Sequence, residues 1–356
     1  LQRRADSLIR DEVTQMVLLD LYEILQKETD ENHRMSQKQI SERLKAGYGE
    51  EADRKTIRKC LMQLSEYDSN IQYDDSRIRV NKRGESENIS SEWYYAHSFT
   101  EPELRVLIDS LLFSNEIPYC QCRELVTKLK ALSSNYFRAN VDNIRNLPET
   151  RPENKQIFYI LDVLDEAIGK GRQVSFHYCE YHSDKKMYER RDDAGGVKEY
   201  MINPYRIVAT NGRFYLICNN DKYENLSYYR IDRMKDIMLS ENRIKPLESL
   251  PGCEKGLNLP EHMAEHIYMM SGESEKVTFR ADRFLITEIM DWFGKNIRFF
   301  DETESSVHVT VRVNVKAMFF WLMQYGQYVE VERPEALRRK VADAVAQMTL
   351  RYSQKK

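Results

Sequence analysis

The chain has 356 residues, of which 41% are hydrophobic and 31% charged, and its formal net charge is −3. That length allows two or three domains, and the composition is that of a globular protein. No run of about eighteen apolar residues occurs, which excludes a transmembrane helix. The slight negative charge excludes a uniformly basic nucleic-acid coat but permits a local basic face.

Leu1 to Arg10 lacks the apolar stretch of a signal peptide, and the absence of an initial Met suggests a trimmed N-terminus. Cys60, Cys120, Cys122, Cys179, Cys218 and Cys253 are scattered, and no second close pair joins Cys120 and Cys122 to complete a C-x-x-C type of zinc site. They are expected to be reduced thiols of a cytoplasmic protein.

Leu18, Leu21, Tyr22 and Leu25 fall at helical spacing and end in the charged stretch Lys27 to Glu31. Ser36 suits an N-cap, and the helix after it places Ile40 and Leu44 on one face before Gly47 and Gly49 break it. A third helix begins near Asp53 with Ile57, Cys60, Leu61 and Leu64 as its apolar stripe. Three short helices with a Gly-containing turn between the last two make a helix-turn-helix. Two strands, Ile71 to Tyr73 and Trp93 to Tyr95, are joined by a long basic-polar loop that forms a wing.

Thr100, with Pro102 and Glu103 behind it, caps a helix carrying Leu104, Leu107, Ile108, Leu111 and Leu112; another helix follows near Arg123 to Leu132. The polar stretch Asn135 to Asn154 reads as a linker. A helix from Ile157 to Ile168 then stops at Gly169-Lys170-Gly171. Short strands follow at Val174 to Tyr178, Glu199 to Ile202, Arg206 to Ala209, Arg213 to Cys218 and Leu226 to Tyr229, with Asn211-Gly212 a strong tight-hairpin signal. Several short strands around one helix predict a small β-barrel. From Glu275 the order is strand, helix, strand, strand, helix, strand, the ferredoxin-like split unit, with a last helix from Glu335 to Arg351.

The run from Asn203-Pro204-Tyr205-Arg206 to Arg213-Phe214-Tyr215-Leu216 resembles the centre of the WYL domain. Tyr228-Tyr229-Arg230-Ile231-Asp232-Arg233-Met234 resembles that family's second motif, and Val174-Ser175-Phe176-His177-Tyr178 its first strand. Phe214 stands where the family's name requires Trp, so an indole N–H is lost. Trp321, Tyr325-Gly326, Val329-Glu330-Val331 and Pro334 resemble the C-terminal extension that follows the barrel in these regulators. The resemblance covers nearly the whole chain. It implies a transcription regulator with a winged helix-turn-helix, an Sm/SH3-like barrel that senses nucleotides or nucleic acid, and a ferredoxin-like extension.

The expected fold is therefore α+β and multidomain: a winged helix-turn-helix over 1–96, a helical connector and linker over 97–150, a WYL sensor over 151–250 and a C-terminal extension over 251–356. On the third helix Arg54, Lys55, Thr56, Arg58 and Lys59 lie off the apolar stripe, where Arg or Lys can donate to guanine and Thr can reach phosphate. Ser36 and Gln37 at the second helix's start would meet the backbone, and Arg77, Arg79, Lys82 and Arg83 come from the wing. The plainer alternative is a solvated charged face.

In the barrel, Arg206, Arg230 and Arg233 bring fixed positive charge to the rings of Tyr178, Phe214, Tyr215 and Tyr228, with His177 and Asp232 beside them. Guanidinium forks and stacking faces suit a nucleotide or a short single-stranded nucleic acid. The alternative is structural, with rings filling a barrel and Asp232 neutralising Arg230 or Arg233.

His262-Met263-Ala264-Glu265-His266 fits the H-x-x-E-H pattern of certain zinc peptidases, but it sits in a connector without an obvious third ligand. No P-loop and no dinucleotide fingerprint occur, so no cofactor, metal or catalytic residue is expected. The leading reading is a bacterial, cytoplasmic, homodimeric regulator of duplex DNA with a nucleotide or single-stranded effector. The competing readings are an accessory single-strand-binding module and a zinc-dependent hydrolase.

Overall fold

In the computed structural model the described residues are 2–80, 86–114, 116–137 and 154–353, apart from the side chains of 2–14, 77–80 and 86–89. The chain divides into two units, Leu1–Glu153 and Asn154–Lys356.

Helix α1 (Gln2–Glu28) opens the first unit. It is far longer than the stretch read from its apolar spacing; of its described side chains, Val17, Leu21, Ile24 and Leu25 are buried. Helix α2 (Gln37–Tyr48) starts at a complete capping box, in which Ser36 accepts from the Gln39 backbone and the Gln39 side chain accepts from the Ser36 N–H. It ends at Gly49, whose φ of +72° is a left-handed value that glycine adopts without strain. Helix α3 (Arg54–Tyr67) is capped by Asp53, which accepts from the backbones of Lys55 and Thr56. Ile57, Cys60, Leu61 and Leu64 form its buried stripe, as the spacing predicts. They share a core with Ile40, Leu44, Ile71 and Trp93.

The wing differs from its expected form. Strands β1 (Ile71–Val80) and β2 (Ser86–Tyr95) are antiparallel and extend through most of the stretch expected as loop. Asp is a poor strand former, and the polar stretch between Tyr73 and Trp93 hid the strands. Helices α4 (Glu101–Phe113) and α5 (Tyr119–Lys130) pack through Leu104, Ile108, Val126 and Phe137. Thr100 and Glu103 make a second capping box. Of the expected linker, residues 138–153 lie outside the described residues. Its two ends are held: the Asn135 N–H donates to Lys27 O at 2.7 Å, and Asn154 Nδ2 donates to the carbonyls of Asp232 and Met234 at 3.1 and 2.8 Å.

In the second unit α6 (Ile157–Lys170) lays Ile157, Ile160, Val163, Leu164 and Ala167 on a six-stranded antiparallel sheet. Its strands are β3 (Arg172–Tyr181), β4 (Met187–Glu189), β5 (Glu199–Thr210), β6 (Arg213–Asn219), β7 (Ser227–Arg230) and β8 (Met234–Arg243). They run in the order β4-β3-β5-β6-β7, and β8 also pairs with β3. Between β7 and β8 lies a 3-10 turn, Ile231–Arg233, and these two strands do not pair. The expected barrel is thus corrected: among the described residues the sheet is not closed.

The two strands expected on either side of Pro204 are one. The register of β5 against β6 shifts between Pro204 and Arg206, and such a bulge admits a residue that cannot donate to the ladder. Asn211 and Gly212 both have positive φ, +51° and +68°, the backbone a tight two-residue hairpin requires. Strand β8 escaped sequence reading because its second half, Ser240 to Arg243, is polar, with Glu241, Asn242 and Arg243 exposed.

The short helix α7 (Leu259–Glu265) leads to the last elements. These are β9 (Ser274–Asp282), α8 (Ile286–Phe293), β10 (Arg298–Phe300), β11 (Ser306–Asn314), α9 (Val315–Tyr325), β12 (Val329–Arg333) and α10 (Glu335–Ser353). The element order matches the one read from the sequence, and the strands pair antiparallel as β10-β11-β9-β12. Phe279, Phe293 and Trp321 meet at its centre with ring centroids 5.0 to 6.5 Å apart. Leu337 anchors α10, while Val345, Met348 and Leu350 of the same helix are exposed.

Candidate nucleic-acid interface and sensor site

Helix α3 turns one face wholly inward, so its other residues are forced outward. Arg54, Lys55, Arg58 and Lys59 are exposed, and Thr56 is half-buried. Thr56 Oγ1 donates to Asp53 at 3.0 Å, so this hydroxyl strengthens the cap. The same bonds hold the Asp53 carboxyl below its ordinary value, with the Thr56 N–H the largest cause. Among the described residues no carboxylate forms an ion pair with Arg54, Lys55 or Lys59. Gln37 Nε2 donates to the Arg54 carbonyl at 2.6 Å, which fixes the start of α2 against the start of α3. Ser36 is likewise occupied by its capping box. Arg77 and Arg79 belong to β1 rather than to a loop, and Lys82 and Arg83 lie outside the described residues.

The sheet of the second unit separates the predicted sensor residues by face, because successive side chains of a strand point to opposite sides. Tyr178, Phe214 and Tyr229 pack on the core beneath α6. Tyr215 and Tyr228 pack on the other side, with Val208, Ile217 and Met269. Arg206 alternates with Ile207, which is on the α6 side; its guanidinium is exposed and donates to the Tyr205 carbonyl at 2.9 Å. His177 alternates with Tyr178 and reaches Asp236 Oδ2 at 3.3 Å.

A tight cluster remains around Tyr178. Its hydroxyl accepts from the Arg230 N–H at 3.1 Å, and burial pushes its phenol above the ordinary value, so it stays neutral. Arg230 forms a two-pronged pair with Asp232: Nε donates to Oδ1 at 3.0 Å and Nη2 to Oδ2 at 2.6 Å. The Asp232 side chain is only 1% exposed and that of Arg230 17%. Arg233 is close enough to act electrostatically on Tyr178. Its Nε is buried and has no hydrogen-bond partner among the described residues. A buried donor without an acceptor is costly and calls for an explanation.

Sequence reading missed further members. Arg190 sits over the Tyr178 ring at 5.3 Å and donates to Glu180 at 2.9 Å. Lys198 lies over Tyr200 at 5.2 Å, and Tyr200 meets the rings of Phe176, Tyr178 and Tyr229. Arg190 and Lys198 flank a loop without periodicity, so nothing in their spacing marked them. The result is a set of cations around rings packed mostly edge to face, chemistry suited to an anion that carries a flat base.

On the opposite face a cavity of about 890 Å³ is lined by Leu226, Tyr228, His262, His266, Ser274 and Arg312 among others. Its histidines belong to the H-x-x-E-H stretch at the end of α7, which stops at Glu265 with His266 as its C-cap. Glu265 pairs with Arg312 at 3.0 Å, His262 Nε2 meets the Tyr228 hydroxyl at 2.9 Å, and the two imidazoles stack at 4.0 Å. Burial lowers the His262 imidazole to about 4.

Residues 159–239 match the family model of the WYL domain, and residues 273–349 that of the WCX domain. Two solved structures are similar. One is the proteasome accessory factor B/C (PafBC) of Arthrobacter aurescens, 15% identical, with 95% of this chain and 49% of that one covered and a TM-score of 0.28. The other is a CRISPR Cas-related protein, 12% identical, with 85% of this chain and 74% of that one covered and a TM-score of 0.36. The chain thus spans about half the length of the accessory factor. No curated protein matches the sequence. Among the described residues, no helix is long and apolar enough to cross a membrane.

Proposed function

We propose that this chain, whose residues 159–239 and 273–349 match the WYL and WCX domain models, is a regulator that controls transcription by binding duplex DNA through α3. The observation that carries this reading is the exposed row Arg54, Lys55, Arg58 and Lys59 on a helix whose opposite face is buried. Arg presents a fork that matches guanine O6 and N7, and the Gln37 bond ties α2 to the reading helix. The β1–β2 hairpin supplies the wing, with Arg77 and Arg79 on its first strand.

The second part of the proposal is a sensor at Tyr178. Among the described residues Arg233 Nε lacks an acceptor, beside an aromatic cluster that Arg190 and Lys198 border, which favours an anionic ligand with a stacking base: a nucleotide or a short single-stranded nucleic acid. Such a ligand regulates only if it binds DNA-competent and incompetent states unequally. Two copies acting together fit both halves, because one winged helix reads few base pairs and α10 exposes Val345, Met348 and Leu350. The strand order of the last sheet, β10-β11-β9-β12, supports a ferredoxin-like reading of the WCX part.

The sensor experiment is calorimetric titration of nucleotides and short oligonucleotides into the full chain and its Arg233→Ala variant. Arg233 is the better target, because Arg230→Ala would leave the buried Asp232 carboxylate unpaired. The proposal expects Arg233→Ala to lose most ligand affinity with DNA affinity retained. Equal binding by both proteins places the effector elsewhere.

A further inference from the structure

The outer face of β3 carries a group that neither the proposed DNA contacts nor the sensor proposed at Tyr178 uses, although the sequence reading sets His177 in the sensor. His177 on β3, Glu189 on β4 and Asp236 on β8 bring one ligand atom each to within 4.8 Å of one another. Three strands supply them, and the pairing of those strands explains the convergence. In the β3–β4 hairpin Glu189 lies opposite Cys179, two residues along from His177 and therefore on the same face. On the other edge Ser175 pairs with Met238 and His177 with Lys235, so β8 carries an extra residue against Phe176. A bulge of this kind re-aims a side chain. It falls at Asp236, whose φ of +50° is left-handed, and Asp236 reaches His177 Nδ1 at 3.3 Å.

The charges at this place are not cancelled by the protein itself. Among the described residues no Lys or Arg forms an ion pair with Glu189 or Asp236. Glu199 adds a further carboxylate, because it lies directly opposite His177 on β5; Lys235 is the cation nearest in register. One imidazole and two carboxylates on a half-exposed face form a mixed nitrogen and oxygen donor set without a thiolate. That set suits a borderline divalent ion such as zinc or manganese rather than a soft one. Zinc binds such donors at about 2.0–2.2 Å. Ligand atoms on opposite sides of one ion are then about 4.4 Å apart at most, so small rotamer changes close the site.

We propose that His177, Glu189 and Asp236 bind a divalent transition-metal ion that ties β4 and β8 to β3. The inference does not depend on the DNA or effector readings, since it uses the face of β3 that Tyr178 does not occupy. The ion's effect is to stabilise the second unit by mass action and to stiffen the strand that carries Tyr178 on its other side.

The test uses the full chain stripped of metal with a chelator. Zinc chloride, and manganese chloride in parallel, are titrated by calorimetry and followed by thermal melting. One ion per chain and a melting temperature that rises with zinc or manganese concentration are expected. Glu189→Gln and Asp236→Asn should each weaken binding at least tenfold; metal-free melting should be unchanged in Glu189→Gln, because among the described residues no hydrogen bond or ion pair holds the Glu189 carboxylate, and Asp236→Asn keeps an oxygen facing His177. His262→Gln, at the other histidine cluster, should leave the binding unchanged. Binding that persists undiminished in both carboxylate variants, binding abolished by His262→Gln, or no binding of either ion overturns the site.

Discussion

Two arginine-rich stretches, one at the start of α3 and one at the end of β7, look alike in sequence but stand in opposite environments. Arg54, Lys55 and Lys59 extend into solvent from a helix held by its other face, with no carboxylate paired to them among the described residues. Arg230 is mostly buried and locked to Asp232 by two hydrogen bonds. Charges of the first kind hold their donors ready for a partner and contribute little to stability. A charge of the second kind is part of the fold, because removing its partner strips a mostly buried ion of its two-pronged carboxylate. Substitution therefore reads out binding at α3 and folding at Arg230, and the variants below separate the two.

The largest effect is expected at the buried pair. Asp232→Ala should destabilise the second unit by about 3–5 kcal/mol, the usual cost of removing one partner of a buried ion pair. Urea unfolding followed by circular dichroism measures it. A midpoint equal to that of the unsubstituted chain would mean that water already solvates Arg230, and the contrast with α3 would collapse.

Replacing Arg54 and Arg58 by Ala should do the reverse. Each lost base contact costs about 1–3 kcal/mol of specific binding, with the unfolding midpoint unchanged. Fluorescence anisotropy on the operator selected from a random duplex pool gives the affinity; unaltered affinity in the folded double variant would falsify the assignment of α3. Lys59→Gln sharpens the same point. If Lys59 meets a phosphate, its loss lowers the slope of log affinity against log salt by about 0.9, the value for one released counterion. A slope that does not move puts Lys59 in solvent even in the complex.

The difference between these regions also explains what the sequence could reveal. The first unit is built from local signals: Ser36 and Thr100 as N-caps, a helix start near Asp53, and stripes at helical spacing. The caps and helix starts stand where they were expected, and so does the stripe of α3, whereas Leu107 of the α4 stripe is exposed. The Asn211-Gly212 turn and the element order after Glu275 were legible for the same reason. The sensor sheet depends on pairings between distant strands. Sequence showed that Tyr178, Tyr215 and Tyr228 were aromatic, but only the β5–β6–β7 register places Tyr215 and Tyr228 away from Tyr178. His177 was grouped with its neighbour Tyr178, although strand alternation already turns it to the other face. Strand β8 and its bulge at Asp236 had no local signature, so the carboxylates beside His177 could not be foreseen.

The last effect is expected at His262 and appears only as pH falls, and it tests whether the H-x-x-E-H stretch is packing rather than chemistry. Burial, reinforced by the neighbouring His266, lowers the His262 imidazole from about 6.5 to about 4. Its neutral Nε2 is then free to accept the hydroxyl of Tyr228, whose own phenol burial keeps protonated. The unfolded chain takes up a proton here near pH 6.5, whereas the folded chain does so only near pH 4. Stability from this group is therefore complete above about pH 6.5 and is lost as pH falls towards 4, with a slope of at most about 1.4 kcal/mol per pH unit for one proton. His266 is shifted in the same direction by burial and adds to the trend. Unfolding free energies measured in urea from pH 4 to pH 7 should thus rise with pH, and His262→Gln should flatten the rise because glutamine has no proton to gain. A curve for His262→Gln that runs parallel to that of the unsubstituted chain over this range would mean that His262 titrates normally, as an open, solvent-filled site would require.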